Sequence, residues 1–186
     1  MKTIVVYNSK RGSTKQYAEW IAEDIREFSE CDLISLADAN GCNFYDYDLV
    51  IYGGWIRGSG IVDFDKFSKI WEEDLLDRMM VFGVGVALPT PENYMQVWSL
   101  NLGKLDPKNE HKATLYILDG KYDPATVTGF DKMLMGIAKK VMLSGATRDA
   151  KDAAGEMRRR IEDGVDLVKR ENISALVKEA AKRLGV

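Results

Sequence analysis

Short, uninterrupted apolar runs alternate along this chain with stretches whose apolar positions recur every three or four residues. Thr3–Tyr7 (TIVVY) is largely β-branched and predicts a strand buried on both faces. A polar loop follows, and Lys15–Phe28 then places Tyr17, Ala18, Ile21, Ala22, Ile25 and Phe28 on one helical face. Cys31–Leu36 reads as a second strand. Leu49–Gly53 (LVIYG) reads as a third, running into the glycine-rich stretch Gly54–Gly60. Phe64–Leu76 predicts a helix with Phe64, Phe67, Ile70, Trp71 and one of Leu75 and Leu76 inward. Met79–Ala87 is a fourth apolar strand, broken by Leu88-Pro89-Thr90-Pro91. Glu92–Leu102 predicts a helix carrying Tyr94, Val97, Trp98 and Leu102, and Ala113–Leu118 a fifth strand. Beyond Asp119, Phe130, Met133, Leu134, Ile137, Ala138 and Val141 form an amphipathic helical face. Ser144–Gly164 is polar, with no core stripe until Met157 and Ile161, and Ile173–Leu184 predicts the last helix.

Strands apolar throughout, alternating with helical segments, imply a parallel sheet covered on both faces. The expected fold class is therefore α/β: a doubly wound, five-stranded parallel sheet of order 2-1-3-4-5 with helices on both faces. A chain of 186 residues fits a single domain.

Composition narrows the function. With 26 basic and 29 acidic residues, net charge −3, no basic excess points to nucleic acid. The charge is uneven: residues 1–120 hold 12 basic and 19 acidic side chains, the remainder 14 and 10. Arg158, Arg159 and Arg160 read either as a solvated helix face or as a patch for an anionic partner or membrane surface. Cys31, Cys42 and His111 are the whole cysteine and histidine inventory, too few for a disulfide framework or a zinc site without carboxylates. Inert thiols in a reducing compartment are expected. No charged leader precedes a long apolar run, and no stretch is long enough to span a bilayer, so the expected location is cytoplasmic.

In a doubly wound sheet ligands bind beyond the carboxyl ends of the strands, where strand order reverses. The first such loop, Ser9-Lys10-Arg11-Gly12-Ser13-Thr14, offers hydroxyls, a glycine and unpaired backbone N–H groups at a helix start, all suited to a phosphate. Neither GxxxxGK[ST] nor GxGxxG is present there. The alternative is that Ser13 or Thr14 simply caps the helix.

Tyr7-x-Ser9-x-x-Gly12-x-Thr14, at the end of the first strand, resembles the phosphate loop of flavodoxins. The resemblance implies a flavodoxin-like fold and FMN as cofactor, with the monophosphate in this loop. It also implies that the loops after strands three and four sandwich the flavin ring. Those are Gly54-Trp55-Ile56-Arg57-Gly58 and the stretch holding Ala87, Leu88, Pro89 and Tyr94. Trp55 is the best candidate wall, against a role as a rim or core tryptophan; Tyr94 is either a second wall or a core residue. Arg57 is either a cation beside the ring, favouring a reduced anionic flavin, or a solvated arginine.

Within the superfamily, three segments resemble the menaquinone-dependent protoporphyrinogen dehydrogenase group: Gly54–Arg57, Phe130-Asp131-Lys132-Met133, and Ser144-Gly145-Ala146-Thr147-Arg148-Asp149. Gly120-Lys121-Tyr122-Asp123-Pro124 departs from that group. This resemblance implies an FMN-dependent oxidoreductase acting on a porphyrinogen, with a quinone as acceptor. Met133, Met135 and Met142, with the adjacent Lys139 and Lys140, read either as a core helix with a solvated lysine pair, or as an adaptable wall for a quinone or porphyrinogen or a membrane-surface contact. The alternatives are an electron carrier between protein partners such as a reductase, and a non-redox module of the same fold. No His, Cys or paired-carboxylate constellation suggests acid–base or nucleophilic catalysis by the chain, which suits a cofactor doing the redox work.

Overall fold

The structure is a computed structural model and describes residues 1–142 and 152–186. Six strands make its main sheet: β1 (Lys2–Tyr7), β2 (Glu30–Ser35), β3 (Leu49–Arg57), β4 (Gly60–Ile61), β5 (Met79–Gly85) and β6 (Thr114–Asp119). The order is β2-β1-β3-β5-β6, all parallel, and the two-residue β4 pairs antiparallel with β3. Leaving β4 uncounted, this is the expected 2-1-3-4-5 winding.

Uniformly apolar strands are required because both faces are covered. Ile4, Val6, Val50, Tyr52 and Val81 point into one core; Val5, Leu49, Ile51, Met80 and Phe82 point into the other. The second core is closed by α1 (Ser13–Ile25), with Tyr17, Ala18, Ile21, Ala22 and Ile25 buried, and by the C-terminal helix Ser174–Leu184. The first is closed by α2 (Phe64–Phe67), α3 (Pro91–Leu100) and α4 (Leu102–Leu105), around the Tyr52–Phe67 ring stack at 4.6 Å.

Three expected elements differ. The helix over Phe64–Leu76 stops at Phe67; Glu72 is extended and a 3₁₀ turn, Glu73–Arg78, follows. Leu75 and Leu76 of that turn are both buried. The helix over Glu92–Leu102 breaks at Asn101, whose backbone leaves helical geometry (φ −120°, ψ −92°). Strand three does not end at Gly53 but runs to Arg57 and turns back as a hairpin, because Trp55 and Ile56 still find ladder partners.

After β6 the chain leaves the sheet for a long excursion. It comprises β7 (Lys121–Tyr122), α5 (Gly129–Met142), α6 (Ala153–Asp163) and β8 (Val165–Asp166), with β7 and β8 paired antiparallel. The chain then returns through a 3₁₀ turn, Arg170–Ile173, into α7 (Ser174–Leu184). On α5, Met133 and Ile137 were expected inward but are 54% and 53% exposed, whereas Met135 lines a cleft. Two residues is about 200° of helical turn, so the helix cannot bury all three against one neighbour. The Ser144–Asp149 segment lies outside the described residues. Among the described residues, no helix is long and apolar enough to cross a membrane. Cys31 is buried, and burial pushes its thiol up to about 12.

The glycines of β3 answer to this packing. Gly53 is the register partner of Phe82 on β5, and a Cβ added there would fall on the Phe82 ring. Gly53→Ala is expected to cost about 2 kcal/mol by overpacking, lowering the thermal midpoint by about 4–8 °C. Adding Phe82→Leu should recover part of that loss in the same melt.

Candidate functional site

At the carboxyl end of β1 the chain is held beside β3, where the Asn8 N–H donates to the Gly53 carbonyl at 2.8 Å. The Asn8 side chain donates to Asp63 at 2.7 Å. Ser9 Oγ accepts from the Gly12 N–H at 3.2 Å, and Gly12 sits at φ +93°, a left-handed conformation that favours glycine. Gly12 is the N-cap of α1, so no side chain caps the helix, and Ser13 and Thr14 are its first two residues. Neither hydroxyl therefore acts as the N-cap. The first-turn N–H groups and the positive end of the helix dipole are directed out of the loop, an arrangement suited to an anion.

Beside this helix start lies a cleft of about 250 Å³. Ser9, Lys10, Arg11, Ser13 and Thr14 line one end, and Trp55, Ile56, Arg57 and Gly58 line another. Two polypeptide segments far apart in sequence thus converge where strand order reverses, between β1 and β3. The lining is mostly apolar, and Val84, Gly85 and Val86 at the end of β5 complete the sheet side.

Other candidates stand elsewhere. Gly12 borders a neighbouring hollow with Tyr7, Lys15 and Ser35. Gly54 is packed beneath Ile61, where a Cβ would come within 2.5 Å of its methyl, and it does not line the cleft. Ala87, Leu88, Pro89 and Tyr94 do not line the cleft. The reason is local: Thr90 caps α3 through the Asn93 N–H, Pro91 starts the helix, and the Asn93 side chain donates to the Leu88 carbonyl at 2.7 Å. The loop folds back on its own helix, leaving the Tyr94 hydroxyl 3.5 Å from the Leu115 carbonyl.

The family model described as a flavodoxin domain matches residues 4–149. The chain belongs to the flavodoxin domain family. It is similar to the flavodoxin-like domain-containing protein BilS of Clostridioides difficile (strain CD3), 27% identical over 135 residues, spanning 72% of this chain and 74% of BilS. Among solved structures it resembles two-electron reduced Megasphaera elsdenii flavodoxin (TM-score 0.50, 17% identity, 62% of this chain and 84% of that one). A flavodoxin from the domain Archaea matches with TM-score 0.48 and 16% identity over 87% of this chain and 99% of the other. At these identities the structural likeness is one of fold.

The far wall of the cleft in this flavodoxin domain comes from the excursion after β6, which the sequence left unplaced. Tyr122, Val127 and Met135 line it. The excursion is tied down at both ends. Lys121 pairs with Asp166 at 2.7 Å across β7 and β8, and the Leu167 N–H donates to the Gly120 carbonyl. Arg160, only 12% exposed, pairs with Glu156 at 3.0 Å and Asp119 at 3.6 Å, and donates to the Val86 carbonyl. It thereby holds α6 against the ends of β5 and β6. Arg158 pairs with Glu162 and Arg159 with Glu156, so the arginine cluster is internally ion-paired. The Tyr17 hydroxyl donates to the Asp119 carbonyl at 2.6 Å and accepts from Asn172 and from the Lys169 N–H.

The hairpin carrying Arg57 is equally constrained. Gly58 and Ser59 both have positive φ (53° and 67°), as a two-residue type I′ turn demands. Asn101 is buried beneath it: its Oδ1 accepts from the Ile61 N–H at 2.8 Å, and its Nδ2 donates to the carbonyls of Ser59 and Val97. Above Trp55 the Arg57 guanidinium lies 4.5 Å from the ring centroid and Lys10 Nζ 5.4 Å from it. Asn101 and Arg160 position the site and were missed in the sequence, where nothing marks one polar residue near a helix end as buried. Among the described residues, no cluster of His, Cys, Asp and Glu could hold a metal ion.

Asn101→Ala leaves the buried Ile61 N–H without its acceptor, at an expected cost of about 1–3 kcal/mol. Hydrogen exchange should show the Ile61 amide losing protection while the β1 amides keep theirs.

Proposed function

We propose that this flavodoxin domain holds FMN in the β1–β3 cleft and serves as an oxidoreductase. The observation that carries this reading is the convergence of an anion-ready helix start and an apolar slot in one cleft. Ser9, Lys10, Arg11, Ser13 and Thr14 would hold the phosphate. Trp55, Ile56, Val84, Tyr122, Val127 and Met135 would wall the ring. Bound FMN supplies electron and hydride transfer; the chain supplies position, exclusion of water and local charge. Its membership of the flavodoxin domain family and its likeness to a flavodoxin-like domain protein support a redox role.

The finer reading is oxidation of a porphyrinogen with a quinone as acceptor. It is supported by the placement of Trp55, Ile56 and Arg57, part of the segment that carries the resemblance, in the cleft lining.

The purified protein, mixed with FMN and freed of excess by gel filtration, should keep flavin absorption bands in the visible spectrum. A colourless protein would overturn the FMN reading. Flavin-loaded protein should then oxidise protoporphyrinogen with menadione faster than the uncatalysed background. Flavin retained with no such rate removes the porphyrinogen reading and leaves FMN binding standing.

A further inference from the structure

A second hollow opens on the other side of the loop after β1, toward the end of β2. It measures about 370 Å³ and meets the flavin cleft at Ser9, which lines both. Its apolar part is anchored in the fold: Tyr7 packs on one core and Leu36 on the other, with Ala37 beside them. Its loop side is open, since a Cβ placed on Gly12 would meet nothing within 4 Å. FMN held in the cleft would leave this hollow unused. We infer that it receives the adenylate half of FAD, so that the flavin bound here carries a dinucleotide tail. This rests on the flavin reading above and concerns the far end of the same cofactor.

Position favours an adenylate. A phosphate at the start of α1 stands between the two spaces, with the isoalloxazine on the cleft side and a second phosphate on the hollow side. Gly12, at φ +93° and without a side chain, lets the backbone approach that second phosphate closely. The glycines of the GxGxxG fingerprint are absent, and Ser9 closes the turn instead by accepting from the Gly12 N–H. Beyond the end of β2 the chain places a carboxylate. Asp38, in the 3₁₀ turn Leu36–Asp38, accepts from the hydroxyl of Ser35 at 2.5 Å, and Ser35 lines the hollow. In doubly wound sheets that bind dinucleotides, an acidic residue some 20 residues past the phosphate loop takes the ribose hydroxyl of the adenosine. Tyr7, Leu36 and Ala37 offer a purine the apolar surface it prefers. Lys15 also lines the hollow but pairs with Glu19 at 3.7 Å, so shape and hydrogen bonding select this ligand, and net charge does not.

The test is isothermal titration calorimetry of the flavin-free protein with FMN and, separately, with FAD. FAD is expected to bind roughly tenfold more tightly than FMN. Ala37 is exposed, and Ala37→Trp fills the hollow from outside. That variant should bind FAD no better than FMN while keeping the wild-type affinity for FMN. Asp38→Asn preserves shape and should lose part of the preference for FAD, again with FMN unchanged. Retained FMN binding reports that each variant is folded. Wild-type protein that binds FAD no more tightly than FMN, or an Ala37→Trp variant that keeps the full preference for FAD, overturns the inference while flavin binding stands. A protein that takes up neither flavin overturns the parent reading, and this one with it.

Discussion

β1 and β3 lie side by side and send the chain to opposite faces of the sheet. From β1 the chain rises into α1 on one face; from β3 it passes into the hairpin and α2 on the other. Parallel neighbours with diverging exits cannot close the gap between their own loops, so a crevice opens above them. Every feature of the site depends on that gap. The helix start with its backbone donors comes from the β1 exit, the indole and guanidinium from the β3 exit, and the rest of the molecule supplies walls. The register that fixes the gap is held from below, where Gly53 and Phe82 share one volume across β3 and β5.

The strands were readable because each is apolar on both faces, a pattern that few alternatives share. The loop after strand one stood out because its glycine, hydroxyls and position are local, and Ser9, Lys10, Arg11, Ser13 and Thr14 do line the cleft. What failed to read was non-local. The stretch Gly54–Gly60 looked like a loop because of its glycines, yet it is strand and hairpin, and the glycines at 53 and 54 answer to Phe82 and Ile61. Ala87, Leu88, Pro89 and Tyr94, placed by resemblance, stand outside the cleft lining, where their loop folds back on α3. Met133 and Met135 carry the same hydropathy, and only the docking of α5 decides which faces the cleft. Asn101 and Arg160 look in sequence like any polar surface residue.

Charge tells a similar story at larger scale. The first two-thirds of the chain is acidic and the last third basic, and in sequence the arginine cluster read either as a solvated helix face or as a patch for an anionic partner or membrane surface. In the fold much of the basic surplus is consumed internally. Arg158, Arg159 and Arg160 meet Glu162, Glu156 and Asp119, and Lys139 meets Glu162. The cations lining the cleft come from both parts of the chain, Lys10, Arg11 and Arg57 from the acidic one and Lys121 from the basic one. Regional net charge therefore describes this site poorly, and the choice of residues at individual cleft positions describes it well.

The excursion after β6 has a temporal consequence. Its wall residues are clamped by contacts with segments on either side of it, and Tyr17 in the first helix waits for Lys169 and Asn172, more than 150 positions later. During synthesis the sheet-side floor of the cleft exists in the nascent chain well before its roof can lock. Roof closure comes only when the C-terminal helix has emerged and packed, since α7 anchors the returning segment. A ligand that needs both surfaces finds its complete site only once the returning segment and α7 have packed.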